Sequence, residues 1–333
     1  ATTEIYTLSL HDALPIWDKR HRVYGIHRHE FPDKWRLDME LSLISDRDLM
    51  LQFFEKEARE DKESETYLYV NKSWNNHAFS FLSRFRPNDF QSQIEYLPQG
   101  KYHVLHEPLW TGEPGSAYWS SHMELSYVRR KDDEAAPSAF DGKSIFRADW
   151  DNTLYFRFLL GPLHLLPFAT GRMSYFEEGA DGENHRFRGT AGTGIEIATT
   201  FHRLYRARND FFQLDRVLHV FTPHFRYEWI YANSVDSGEL IPFDSLESVD
   251  KMQRIQVILT NRLRTLRNKR IVDFFFFEAI FAYLPERDLG DGKTDQGVDI
   301  SSRWEKFDNL KLDLRWSVRR SEEHTSELQS RQS

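Results

Sequence analysis

The 333-residue chain has no cysteine. This excludes disulfides and thiolate metal sites. No run of about 18 apolar residues occurs, so no segment reads as a membrane-spanning helix. Positive charge is in the minority: 44 Lys and Arg stand against 52 Asp and Glu, a net charge of −8. A nucleic-acid binder shows a basic patch or a high pI, so that class is set aside. Ser, His and Asp are present, but no nucleophile-elbow pattern brings them together. The segments between turns vary in length, which argues against a short-period solenoid.

Two end segments stand apart. Residues 1 to 16, ATTEIYTLSLHDALPI, resemble the conceptual translation of a sequencing-library adapter. Residues 320 to 330, RSEEHTSELQS, resemble that of the adapter used at the other end, and 331 to 333 read as its continuation. Both are left out of the fold reading. Without Glu4, Asp12, Arg320, Glu322, Glu323, Glu327 and Arg331, Lys plus Arg falls from 44 to 42 and Asp plus Glu from 52 to 47, a net charge of −5. Residues 17 to 319 show no domain boundary and read as part of one β-barrel domain. They read as a piece of a longer protein, so the absence of a leader carries no information.

What the sequence does have is alternation. In KWRLDMELSLIS, Trp35, Leu37, Met39, Leu41 and Leu43 face one way and Arg36, Asp38, Glu40 and Ser42 the other. In RIQVILTNRLRT, Ile255, Val257, Leu259, Asn261 and Leu263 alternate with Arg254, Gln256, Ile258, Thr260 and Arg262. Period two is the mark of a strand with unlike faces. The theme recurs in RHRVYGIHRH, ETYLYVNKSW, HAFSFLSRFR, QSQIEYLPQ, KYHVLHEP, YWSSHMELSYVRR and VLHVFTPHFRYEWIYA. IFRADWDNTLYFRFLL and LHLLPFATGRMSYF are joined by Gly161 and Pro162, a tight hairpin signal. FRGTAGTGIEIATTFHRLYR reads as a strand, or a hairpin bent at its glycines, and GVDISSRW with LKLDLRWSVR as a last pair. Pro98 is expected to break its strand. Ser45 followed by Asp48 reads as a capping-box-like start to a short helix in a loop.

Roughly 15 strands emerge, with two-residue turns at one end and longer polar loops at the other. That layout, together with 15% aromatic residues, is expected of an antiparallel transmembrane outer-membrane β-barrel. Its mean hydropathy is soluble-like because half the strand residues face the lumen. FFFF at 274 to 277 places phenylalanine on both faces of one strand: one meets lipid, the other packs against a loop or plug. A buried strand in a soluble sandwich is the alternative.

Chemistry-bearing candidates are few. His27 and His29 share a strand face, but no third ligand stands at a telling distance, and ordinary strand histidines fit better. GTAGTG at 189 to 194 lacks a following Lys and helix, so a glycine-made bend or bulge is the better account. Asp46 with Asp48, and Asp149 with Asp151, suit helix-start and turn roles. No catalytic, cofactor-binding or metal residues are assigned, and no cofactor is expected. Arg157, Arg172, Arg226, Arg262 and Arg264 fall on lumen positions by strand position only; lumen solvation or interface anchoring is the better account of any one of them, and phosphate contact is a role that a family resemblance would add.

Three stretches carry a family resemblance. LHVFTPHFRYEWI at 218 to 230, with His219, Pro223 and Tyr227, resembles the His-hydrophobic-x-Pro strand of LptD, the lipopolysaccharide-assembly or organic-solvent-tolerance (OstA) family. IPFDSLESVDKMQRIQVILTNRLRT at 241 to 265 is similar to the loop and strand that follow it there, and ISDRDLMLQFF at 44 to 54 to a segment after an early barrel strand. The resemblance covers most of residues 20 to 285. It implies an integral protein of the Gram-negative outer membrane that is a transporter rather than an enzyme. Lipopolysaccharide would enter the lumen and leave through a lateral seam between first and last strands. Implied partners are an LptE-like plug lipoprotein, the periplasmic Lpt bridge proteins and outer-membrane lipid, with no nucleic acid. The family's jelly-roll domain, and the cysteines that tie it to the barrel in some members, are not in this chain. A porin or receptor barrel, or a soluble all-β binding or structural protein, is the alternative.

Overall fold

Nearly every segment with period-two alternation becomes a strand, and the strands join edge to edge. A computed structural model describes residues 2–10 (as backbone only), 20–55, 65–209, 214–267, 270–285 and 310–318. The early strands are β1 (Thr2–Leu10), β2 (Arg20–Glu30), β3 (Trp35–Ile44), β4 (Thr66–Trp74), β5 (His77–Phe85), β6 (Gln93–Gly112) and β7 (Gly115–Lys131). There follow β8 (Ser144–Leu160), β9 (Leu163–Glu178), β10 (Asn184–Ala198), β11 (Phe201–Asn209), β12 (Leu214–Asn233), β13 (Met252–Arg267), β14 (Arg270–Tyr283) and β15 (Leu310–Val318). All 15 belong to one antiparallel sheet, the all-β, barrel-type fold expected from the sequence. Among the described residues no pairing joins β1 to β15, so the sheet is open.

Neighbours in the chain are neighbours in the sheet, with one exception. β10 lies along residues 224–233 of β12 and β11 along residues 214–221. The two are one long strand interrupted at Thr199 and Thr200, so the bend lies beyond the glycines of GTAGTG rather than at them. Those glycines instead make a bulge, where the β10–β12 register shifts between Ala191 and Gly192. An added Cβ on Gly194 would stand 2.3 Å from the Phe168 ring and 2.4 Å from the Tyr227 carbonyl, so only glycine lets strand and ring close.

Turn lengths alternate. Asn75–Asn76, Glu113–Pro114 and Gly161–Pro162 join strands at one end; residues 45–65, 86–92, 132–143, 179–183 and 234–251 join them at the other. β6 and β12 run 20 residues each, well beyond the ~9–11 that a tilted strand needs to cross hydrocarbon.

The burial pattern is inverted relative to a water-soluble sheet. On β8, Arg147 is 0% and Asp149 4% exposed, while their neighbours Phe146 and Trp150 are each 39% exposed. On β7, Glu124 and Ser126 are buried and Leu125 is 59% exposed. On β3, Asp38 and Glu40 are buried and Met39 and Leu41 exposed. Residues directly opposite across a ladder share a face. The registers carry the polar face from Asp38 and Glu40 through Gln99, Glu124, Arg147, Ser174 and Arg188 to Arg226, Arg254 and Arg315. The opposite face carries Met39, Leu125, Trp150, Met173, Phe187, Trp229, Phe281 and Leu312, all exposed. Here the polar face is called inner and the apolar face outer.

Some expectations are corrected. Pro98 does not end its strand: β6 continues to Gly112, and Leu97 and Pro98 form a bulge paired with neither neighbour, which spares the ladder the missing N–H. The helix near Ser45 exists as α1 (Leu49–Phe53), but Asp48 caps it without a side-chain bond. Arg20 reaches across from β2 to hold Asp46 instead, and Ser45 donates to Asp46. A capping box does form at Asp236 and Glu239, around a single 3₁₀ turn. LKLDLRWSV is β15, paired with β14; GVDISSRW and Arg319 lie outside the described residues, as do 11–16 and 320–333 of the end segments. Thr2–Leu10, within the adapter-like segment, runs beside β2.

Candidate functional site: a charged inner wall closed by one loop

The inner face is covered at its long-loop end by the β12–β13 connection. This loop is ordered by its own bonds. Ser237 donates from both N and Oγ to Asp250 (2.7 and 2.5 Å), which ties the base. Leu246 N donates to Asp244 (2.8 Å), and Asp244 N to Glu247 (2.8 Å), which tightens the tip. Local side-chain bonds of this kind stabilise turns. The loop is also apolar where it matters: Leu240, Ile241, Phe243 and Leu246 are buried against Tyr96, Val128, Ile145 and Phe176 of the wall. At about 25 cal/mol per Å², that apolar contact is the non-directional part of docking.

The directional part is ionic. Arg147 on β8 is enclosed on every side. Its Nη1 donates to Glu247, its Nη2 to Glu124 (3.0 Å) and Asp244, and its Nε to Ser126 Oγ (2.9 Å). Glu124 also accepts from Gln99 (2.9 Å) and pairs with Lys101 (3.3 Å). Tyr96 donates its hydroxyl to Asp244 (2.8 Å). Arg188 on β10 donates to the carbonyls of Leu246 (2.6 Å) and Glu247 (3.1 Å), with its guanidinium over the Phe176 ring. Arg130 donates to the Pro242 carbonyl (2.7 Å), and Arg186 pairs with Glu239 (3.2 Å). An acidic loop is thus held by four arginines from three strands.

The two loop carboxylates are set apart by position. Burial is the largest influence on each and favours the neutral form. It keeps Glu247 above its usual carboxylate value despite Arg147. At Asp244 the hydrogen bond and charge of Arg147 outweigh burial and hold the group below its usual value.

The rest of the inner face is a ladder of ion pairs, running from Glu228 and Arg254 near the long-loop end to Arg264 near the short-turn end. Asp149 accepts from Arg172 (2.8 Å) and Ser174 (2.7 Å). Arg226 pairs with Glu196 (3.1 Å) and Glu228 (3.4 Å), and Glu228 with Arg254. Arg264 pairs with Asp273 (2.7 Å), and Arg262 lies over the Phe276 ring at 5.5 Å. Arg262, Arg264 and Phe276 line a recess of about 590 Å³.

The five arginines singled out from the sequence lie on the polar side of their strands, but the fold does not gather them. Arg157 is exposed beside the Glu113–Pro114 turn, while Arg172, Arg226 and Arg264 are each neutralised locally. Phe276 packs under Arg262 on the inner side while Phe277 shares the outer side with Ala279 and Phe281, so the FFFF run does present both faces. His27 and His29 share a face with rings 6.2 Å apart. Asp46 serves Arg20, and Asp151 accepts from Thr170 (3.3 Å). Sequence reasoning missed Arg147, Arg188, Glu124 and Glu247, and the His103–His122 contact with facing Nδ1 atoms 2.8 Å apart. The available signal was GELIPFDSLES: four large apolar residues in a connection have to be buried against something.

No protein-family model matches the chain, and no curated protein matches it.

Proposed function

We propose that this chain is the membrane-spanning wall of an outer-membrane β-barrel and, within that class, part of an LptD-type translocon that inserts lipopolysaccharide into the outer leaflet. The observation that carries the membrane reading is the inverted burial: charges enclosed on one face, and large apolar side chains bare on the other across the whole sheet. In water such a face is an aggregation surface; in hydrocarbon it is the favourable one. An exposed aromatic row near the long-loop end, including Tyr127, Phe146, Phe187 and Tyr231, suits the girdle at a membrane interface.

The lipopolysaccharide reading is supported by the ordered set His219, Pro223 and Tyr227, then Pro242, Phe243 and Asp244, then Asn261, Arg262 and Leu263. A polar lumen hydrates a sugar and phosphate head, and a weakly paired seam lets acyl chains stay in lipid. The implied partners are an LptE-like plug lipoprotein within the lumen and periplasmic Lpt bridge proteins.

Two measurements test this. The full-length protein is run boiled and unboiled on a detergent gel; a soluble protein with no heat-dependent mobility shift overturns the barrel. Depleting it in cells then separates the translocon from a porin or receptor: surface lipopolysaccharide falls if the reading is right and stays unchanged if it is wrong.

A further inference from the structure

We propose that Arg147 and Arg188 form a phosphate-binding site on the inner wall, which the β12–β13 loop occupies with its own acceptors until a phosphorylated ligand displaces it. The inference rests on the translocon reading only for its preferred ligand, a phosphorylated amphiphile.

The first observation is the state of Arg188. It is 1% exposed, yet among the described residues no carboxylate pairs with it. Its two terminal nitrogens meet only the neutral carbonyls of Leu246 and Glu247, and its Nε is buried with no hydrogen-bond partner. A guanidinium presents a rigid fork of donors that matches phosphate or carboxylate oxygens in pairs. Carbonyl oxygens satisfy part of that fork and none of its charge. A buried cation so held is poorly compensated.

The second observation is where the countercharge of Arg147 comes from. Two of its three carboxylates, Asp244 and Glu247, belong to the loop. The third, Glu124, is shared with Lys101. With the loop lifted, the cations Arg147, Arg188, Arg172 and Lys101 outnumber the carboxylates Glu124, Asp149 and Asp151 on this part of the wall, and among the described residues none of the three pairs with Arg188. The loop therefore supplies what an anionic ligand would supply: two negative charges on Arg147 and a pair of oxygens on Arg188. It is itself acidic, with Asp236, Glu239, Asp244, Glu247 and Asp250 against Lys251, so a bound phosphate repels it as well as replacing it. Pro242, Ser245 and Ser248 lie on its exposed side, so the loop is the layer between the two arginines and solvent.

A thiol reporter reads the loop directly. Leu246 is buried on the loop's wall-facing side, and the chain carries no cysteine to compete. Leu246→Cys is placed in the full-length protein, with any thiol outside this segment replaced by serine, and labelled with a neutral maleimide in detergent micelles. The probes are purified lipopolysaccharide, the same material dephosphorylated, inorganic pyrophosphate, and sodium chloride at matched ionic strength. Lipopolysaccharide is expected to raise the labelling rate by about tenfold, as a ligand with that preference for the open state does. Dephosphorylated material and salt are expected to leave it unchanged. An equal rise with pyrophosphate supports the site and assigns it to phosphate as such; a rise with lipopolysaccharide alone supports it and assigns it to the acylated source. Equal acceleration by salt or by dephosphorylated material, or none by any phosphate, overturns the proposal. Arg188→Gln is expected to lose the phosphate response while keeping the heat-dependent mobility shift. Should Arg188→Gln not fold, Arg188→Lys keeps the charge without the fork and is expected to weaken the response. An unabated response in the variant that folds also overturns the proposal. A flat labelling rate beside a fall in surface lipopolysaccharide on depletion sinks this inference alone. A pyrophosphate response beside unchanged surface lipopolysaccharide sinks the translocon reading and leaves the anion site standing.

Discussion

Glu247 stands 100 residues after Arg147 in the chain and accepts a hydrogen bond from its Nη1, with both side chains closed off from solvent. That pair joins a loop to the wall it covers. It also means that the wall at this point is complete only with the loop in place, because Arg147 draws Asp244 from the same segment.

Removing Arg147 leaves Glu247, Asp244 and Glu124 crowded without their shared cation. Breaking a buried pair from one side costs about 3–5 kcal/mol, more than replacing both partners by neutral groups of similar shape. Arg147→Met alone is therefore expected to lower the temperature at which the full-length protein loses its heat-dependent mobility shift. Arg147→Met combined with Glu247→Gln is expected to lower it less. A double variant as damaged as, or more damaged than, the single one would show that the pair is incidental.

The loop carboxylates predict a stability maximum in mild acid. Asp244 is held below its usual value, so the stability it contributes is present above the ordinary aspartate range and lost as pH falls through its depressed value. Glu247 lies above its usual value, so the docked loop takes up a proton there more readily than the undocked loop, and docking weakens as pH rises through that raised value. The thermal midpoint followed against pH is expected to rise on acidification from neutral and then fall below the ordinary carboxylate range. Glu247→Gln flattens the first slope and Asp244→Asn the second; a profile that both substitutions leave unchanged contradicts the assignment.

Gly194 makes a sharper steric prediction. A Cβ there meets the Phe168 ring on one side and the backbone carbonyl of Tyr227 on the other. The ring end is movable, but the carbonyl belongs to the β10–β12 ladder. Gly194→Ala is expected to cost about 1–3 kcal/mol by overpacking, read as a lower thermal midpoint. Gly189→Ala, five residues earlier on the same strand, has nothing within 4 Å of its new methyl and is the control. Combining Gly194→Ala with Phe168→Leu should recover part of the loss if the ring is the main obstacle.

The strands and their faces were legible because both are local. In IFRADWD, Arg147 and Asp149 alternate with Phe146 and Trp150, and charge alone separates the two faces. What was not legible is long-range. Nothing near Arg147 announces a partner 100 residues away, and nothing near Arg188 announces the carbonyls of Leu246 and Glu247. Local rules also failed where a distant group outcompeted them. Ser45 and Asp48 have the spacing of a helix cap, but Arg20 takes Asp46, Ser45 turns to the same carboxylate, and the cap is not made. Pro98 has the look of a strand end, but a two-residue bulge absorbs it and the ladder resumes at Gln99.

Leu125 decides between a bilayer and water around the outer face. It is 59% exposed in the middle of β7, flanked along the strand by the buried Glu124 and Ser126. If the protein is soluble, Leu125→Arg places a charge in solvent, where surface changes stay within about ±0.5 kcal/mol. If the face meets hydrocarbon, the same arginine costs about 2–4 kcal/mol near the midplane and less near the interfaces. Refolding of the full-length protein into phosphatidylcholine vesicles measures the difference. Leu125→Arg is expected to lower the folded, heat-shifted fraction strongly. Tyr127→Arg, two residues nearer the long-loop end and in the aromatic row, is expected to lower it less, because an arginine there reaches the interface. Equal and negligible effects at both positions would remove the bilayer from the argument, and with it the reason for an apolar face that stays bare across the whole sheet.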